Sequence, residues 1–208
     1  MEKNIWFALI GSVALLCSGC FSLERETPDI KHYSFNVVRD QVTVKEENGL
    51  NVMFKGIDIQ SIYQGRSFMY RDAQLRFIKD FYHQFMLDPS RLITEQATAW
   101  FAAAPYVNVL DYRRTTVKPD IEIYGIITKL YTDIRDKNAP VAHLAIRFRV
   151  VDMRIMPYAI LYEHDYPEER TVMRFSATEI MNGFNDALRS VLEAFEADLG
   201  EKLGIYRS

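Results

Sequence analysis

The sequence predicts an α+β domain: a mainly antiparallel sheet with two amphipathic helices packed on one face. Three observations carry that expectation. First, Ile121, Ile123, Gly125 and Ile127 alternate with Glu122, Tyr124 and Ile126, and Leu144, Ile146, Phe148 and Val150 alternate with His143, Ala145, Arg147 and Arg149. This is the two-residue period of strands with one buried face. Second, two stretches repeat apolar residues at three and four positions, as helices do when they bury one stripe. Third, consecutive strands are joined by short polar turns such as Asp136–Pro140 and Arg154–Pro157, which favour antiparallel neighbours.

The chain opens with Lys3 and an apolar run from Ile5 to Leu16, broken only by Gly11 and Ser12, followed by Ser18-Gly19-Cys20. Roughly a dozen apolar residues fall short of the ~20 that cross a bilayer, so residues 1–19 read as a secretory signal peptide. The ending resembles a bacterial lipobox. That resemblance implies that Cys20 becomes the first residue, acylated on sulfur and then on its amine. The competing reading makes Cys20 an ordinary cysteine past a cleavage site, but no cysteine follows it in the chain to act as a partner.

Removal of 19 of the 208 residues leaves 189, a size suited to one domain that needs no disulfide. The formal net charge of -3 is unchanged, since Glu2 and Lys3 leave together. With mixed charges and no basic block, nucleic acid is not an expected partner.

Residues 20–31 are polar, contain Thr27-Pro28-Asp29 and read as a tether; residues 32–208 form the domain. Tyr33, Phe35 and Val37 alternate as a first strand, and Arg39–Gly49 reads as a loop or a hairpin arm. A second strand runs from about Leu50 to Gln60, with a bulge near Gly56. A turn over Ile62–Arg66 leads into a short strand through Phe68–Arg71, and an apolar, aromatic segment covers Leu75–Met86. Asp88 caps a helix with Pro89 at its first position; Ile93, Ala97, Trp100, Phe101 and Ala104 share a side, and Pro105 stops it. Val107 and Val109 begin a strand, and the alternating stretches around Ile121, Leu144 and Tyr158–Tyr166 form an antiparallel meander. Ser176 and Glu179 form a capping box for a last helix carrying Ile180, Phe184, Leu188, Val191, Leu192, Phe195, Leu199 and Leu203, ended by Gly204.

No nucleophile elbow, phosphate-cradling glycine loop or carboxylate pair is visible, so an enzyme is not expected and neither is a cofactor. His143 and His164 lie on strands the meander pairs, with Glu163 and Asp165 beside the second. Without a helical pair or a thiolate, two surface-facing strand histidines outweigh a metal site. The candidate partner-docking residues are Arg147 and Arg149 on a polar strand face, with tyrosines 124, 131, 158 and 162 nearby, and Tyr63, Tyr70 and Arg71 around the preceding turn. Tyrosine and arginine are enriched where proteins meet, although a solvated sheet face would look the same.

The order of these features resembles the auxiliary lipoprotein component of ABC-type lipid transporters, a family that includes the lipoprotein of paraquat-inducible intermembrane transport. The matching features are the lipobox, Tyr33-Ser34-Phe35, the Tyr63 turn, Tyr70-Arg71, the Ser90 to Phe101 helix, the strands near Val107, Ile121 and Leu144, and the C-terminal amphipathic helix. Ser61-Ile62 and His83 stand where the family often has proline and tryptophan. The resemblance implies a non-enzymatic, lipid-anchored periplasmic subunit working with a permease, an ATPase and a mammalian-cell-entry protein to move phospholipid or other hydrophobic molecules between membranes. A stand-alone structural or assembly lipoprotein of the envelope is the alternative, and a homo-oligomer is left open. Phe21-Ser22 lacks the aspartate that retains some lipoproteins at the inner membrane, which by resemblance favours the outer one.

Overall fold

The computed structural model describes residues 28–39, 49–111, 114 and 116–204. The signal segment, Cys20 and most of the tether and of the Arg39–Gly49 loop lie outside the described residues. The strands are β1 (Lys31–Tyr33), β2 (Leu50–Ile59), β3 (Ser67–Ala73), β4 (Arg76–Phe85), β5 (Val107–Val109), β6 (Ile121–Asp133), β7 (Val141–Asp152) and β8 (Ala159–Thr171). The helices are α1 (Pro89–Ala102) and α2 (Ala177–Lys202), and a 3-10 turn covers Ser61–Tyr63.

The class is α+β as expected, with a sheet that is mixed rather than purely antiparallel. β6, β7 and β8 form the meander read from the alternation, in the registers Leu130↔Leu144 and Phe148↔His164. The other edge of β6 is shared end to end by two parallel strands, β2 from Val52↔Ile121 to Ile59↔Ile127 and β3 at Tyr70↔Thr132 and Arg71↔Asp133. β5 extends the sheet beyond β2, while β4 and then β1 extend it beyond β3. Parallel pairing is possible because α1 and β5 intervene before β6, which gives the chain the length to return and run in the same direction.

Both helices cover one face. Ile123, Ile127, Leu144, Ile146, Phe148 and Val150 are fully buried beneath Ile93, Ala97 and Phe101 of α1 and Leu188, Val191, Leu192 and Phe195 of α2. Phe195 is central, stacked on Phe148 at 4.0 Å between centroids and edge-on to Phe101 at 5.4 Å. Burying one such side chain contributes about 1.5–3 kcal/mol. The helices are also joined by a polar contact: Trp100 Nε1 donates to Glu196 Oε2 at 2.7 Å, and Arg39 reaches Glu196 Oε1 at 2.9 Å.

The caps form as the sequence indicates, with one correction. Asp88 Oδ1 accepts from Ser90 N at 3.0 Å, and Ser176 Oγ accepts from Glu179 N. Ser176 N, however, donates to Arg174 O, so a backbone carbonyl takes the place of the Glu179 side chain in the expected box. The bulge sits at Gly56, whose φ of 113° suits glycine, and the register shifts there between Phe54 and Ile57. Across from it, a Cβ on Gly125 would come within 2.8 Å of Ile57 Cγ1, so glycine lets the β2 side chain lie over β6.

Two segments differ from expectation. Only Lys31–Tyr33 forms a strand; Phe35 and Val37 are buried, but their stretch is pinned to the helices, Asn36 N to Asn185 Oδ1 and Val37 N to Gln96 Oε1, instead of joining a ladder. The aromatic Leu75–Met86 segment becomes the long strand β4, interrupted by a wide bulge between Lys79 and Gln84.

Candidate docking surface: the helix-free face of the sheet

On β7 the residues that alternate with the core, His143, Arg147 and Arg149, point away from both helices, and the ladder brings their neighbours on β6 and β8 into three rows. The first row is Tyr124–Arg149–Glu163, the second Ile126–Arg147–Asp165 and the third Tyr131–His143–Glu169. The side chains follow the register. Arg149 is ion-paired with Glu163, and Arg147 binds Asp165 through two bonds of 3.0 and 2.8 Å. Tyr124 donates to Glu122 Oε2 at 2.6 Å, and that hydrogen bond, with burial second, pushes the phenol up to about 12. Arg147 and Arg149 thus lie where the alternation placed them, as rungs of an exposed ladder of charge pairs rather than as free guanidinium groups. Such exposed pairs contribute little stability, about 0–1 kcal/mol each.

At one end of this face is an aromatic stack that the sequence did not reveal. Tyr131 lies parallel to His143 at 4.6 Å and to Tyr63 at 6.1 Å, with Phe77 edge-on at 5.3 Å. Burial holds the His143 imidazole below its ordinary pKa, Lys129 adds to this, and Glu169 and Asp133 oppose it. His143 Nδ1 lies 3.0 Å from Glu169 Oε1, off the line of a well-formed hydrogen bond. Arg71 borders the same corner, 3.9 Å from Asp133 and bonded through Nη2 to Gln74 O. Asp133 is gripped by Arg135, whose hydrogen bonds keep the carboxyl below the usual range against the effect of burial. Arg71, Tyr131, Asp133, Arg135 and His143 line an open groove of about 580 Å³ that also takes in Lys129 and Glu169. At the other end, the β7–β8 turn and the start of β8 expose Ile155, Met156, Tyr158 and Ile160, each more than half exposed. Ile160 pairs with Val151 and so shares the ladder's face.

Burial and Tyr131 push the Tyr63 phenol up and the nearby Arg71 charge opposes them, while Tyr70 faces the opposite way. It is buried on the helix side, beside Phe175 at 5.4 Å, and donates to Asp80 Oδ2 at 2.8 Å. Burial and the Asp80 carboxylate hold this phenol far above its ordinary pKa. Of the other tyrosines, Tyr162 also turns inward, 6.4 Å from Phe195. His143 and His164 are not brought together: His143 pairs with Glu169 and His164 with Phe148, on opposite faces and several residues apart along the strand. Among the described residues no group of three or more His, Cys, Asp or Glu could hold a metal ion, and no helix is long and apolar enough to cross a membrane.

No family model and no curated protein matches the sequence. Solved structures share the fold. A Xanthomonas campestris protein of the DUF330 family superposes with a TM-score of 0.65 at 10% identity, covering 79% of this chain and 92% of that one. An uncharacterized protein gives 0.62 at 8% identity over 81% and 99%, and a hypothetical protein of Chlamydia trachomatis gives 0.52 at 10% identity over 71% and 96%. At these identities the likeness is one of fold.

Proposed function

We propose that this chain is a lipid-anchored protein of the bacterial envelope, facing the periplasm and favouring the outer membrane, that acts without enzymatic chemistry as a docking subunit of an ABC-type transporter. Its partners are a permease, an ATPase and a mammalian-cell-entry protein, and the cargo is phospholipid or another hydrophobic molecule. The observation that carries the reading is the helix-free sheet face: an apolar end at Ile155–Ile160, a ladder of charge pairs through Arg147 and Arg149, and a stacked aromatic corner at Tyr63, Tyr131 and His143. A sheet face of this composition has the apolar anchors and polar surround of a protein interface. The lipobox at Ser18-Gly19-Cys20 and the order of features along the chain add to it.

Affinity purification of the tagged chain after mild crosslinking tests this. Wild type is expected to bring down the permease and the mammalian-cell-entry protein. The Arg147→Glu, Arg149→Glu pair, which faces Glu163 and Asp165 with like charges, is expected to lose them while melting within a few degrees of wild type, because exposed pairs are worth only about 0–1 kcal/mol each. Recovery of no transporter subunit by wild type would leave a stand-alone structural lipoprotein as the better description.

A further inference from the structure

The wide bulge of β4 places two adjacent aromatic side chains in solvent: Phe81 is 58% and Tyr82 55% exposed, packed edge to face at 5.4 Å. In a regular strand one of the two would turn inward. Here Asp80 prevents it. Its Oδ1 accepts from the backbone N–H groups of Tyr82 (2.8 Å) and His83 (3.1 Å), while Oδ2 takes the Tyr70 hydroxyl and lies 2.8 Å from His83 Nδ1. Burial pushes the Asp80 carboxyl up, and the hydrogen bonds from His83, Tyr70 and the backbone more than offset it. The bulge is thus a built feature, and a built feature that exposes large apolar side chains marks a contact surface.

What it contacts follows from where the chain arrives. β1 pairs with the strand end beside the bulge, Lys31 opposite His83, so the segment from Cys20 enters the fold there. The 11 Cα–Cα steps from residue 20 to residue 31 span about 36–40 Å if fully extended and about 17–20 Å as a coil. The exposed cations Lys31, Arg66 and Lys79 lie on or beside the same edge and form no ion pair with a described residue. The β7–β8 turn lies toward the other end of the sheet, about 30 Å away along the strands at ~3.3 Å per residue.

We propose that Phe81 and Tyr82 are a second membrane contact, entering the headgroup region of the bilayer that carries the Cys20 lipid, with the neighbouring cations on anionic headgroups. This rests on the lipid-anchor reading above. Aromatic rings concentrate at that depth, and one surface contact beside a tether fixes how the domain stands on the membrane. The helix-free face is then held upright, available to a partner.

The test uses the full lipidated chain in vesicles of phosphatidylethanolamine and phosphatidylglycerol. Acylation blocks the thiol of Cys20, so Phe81→Cys and Ile160→Cys each provide a single site for an environment-sensitive fluorophore. With side chains about 5–10 Å into the headgroup boundary, the label at 81 is expected to shift blue and to be quenched about twofold or more by lipid-borne spin labels, the label at 160 scarcely at all. Equal quenching at the two positions overturns the proposal. So does a blue shift at 81 that grows with protein concentration and ignores the quencher lipids, which would mean that a second copy covers the bulge. Flotation separates the underlying reading: if the chain does not enter the vesicles through Cys20, the anchor itself fails and the proposal falls with it.

Discussion

Glu196 joins three parts of the chain, and its replacement tests the packing most sharply. The residue is 7% exposed, accepts from Trp100 Nε1 on α1 at 2.7 Å and pairs with Arg39 at 2.9 Å, so it holds α1, α2 and the segment that follows Phe35 and Val37. Glu196→Ala removes both acceptors at once. A buried indole N–H left without a partner costs about 1–3 kcal/mol, and removing one member of a buried ion pair about 3–5 kcal/mol. These overlap, because the same carboxylate serves both, so the net expectation is about 3–5 kcal/mol. For a domain of this length each kcal/mol lowers Tm by about 2–4 °C, which gives a drop of about 6–20 °C in a thermal melt. Glu196→Gln keeps an acceptor for Trp100 and loses only the charge opposite Arg39, so it is expected to cost about 1.5–3 kcal/mol, the worth of a hydrogen bond to a charged group. In Trp100→Phe the donor is gone, so adding Glu196→Ala to it should cost less than the sum of the two single changes. An alanine variant that melts with wild type, or strictly additive effects, would refute the view that this carboxylate links the helices.

Two further outcomes follow from the sheet. His143 has a pKa below its unfolded value, so the unfolded chain binds the proton more readily: stability is intact above about 6.5 and falls as the pH drops from there to the folded value. His143→Phe, which keeps a ring beside Tyr131, is expected to remove that step from a plot of Tm against pH. Gly125→Ala places a Cβ 2.8 Å from Ile57 Cγ1 in the buried layer and is expected to destabilise by about 1–3 kcal/mol in urea, and to cost less when added to Ile57→Ala, which removes both crowding Cγ atoms.

Period and caps made much of this fold legible. The alternation at Ile121–Ile127 and Leu144–Val150 gave strands of correct phase, and Asp88-Pro89 and Ser176 marked both helix starts. Strand direction was not legible, because alternation says which face is buried and nothing about which way the neighbour runs; the parallel pairing of β2 and β3 along one edge of β6 is decided by the length of chain between them. β4 escaped assignment because Asp80 breaks the period and turns Phe81 and Tyr82 both outward. On the candidate surface, Arg147 and Arg149 were correctly placed on one face, but Tyr70 and Arg71 were grouped although adjacent strand residues point to opposite sides. The Tyr131–His143 stack depends on cross-strand register, which no single stretch encodes.

The central claim is that the helix-free face meets a partner at the membrane. A photo-crosslinking amino acid placed in living cells at Tyr124, on that face, tests it directly, with Val38 as the control, more solvent-accessible (60% against 39%) but bonded through its carbonyl to Arg189 of α2. The account predicts a crosslink from position 124 to a transporter subunit, abolished by Cys20→Ala, and none from position 38. Crosslinks of equal yield from both positions, or a crosslink at 124 that survives loss of Cys20, would contradict it.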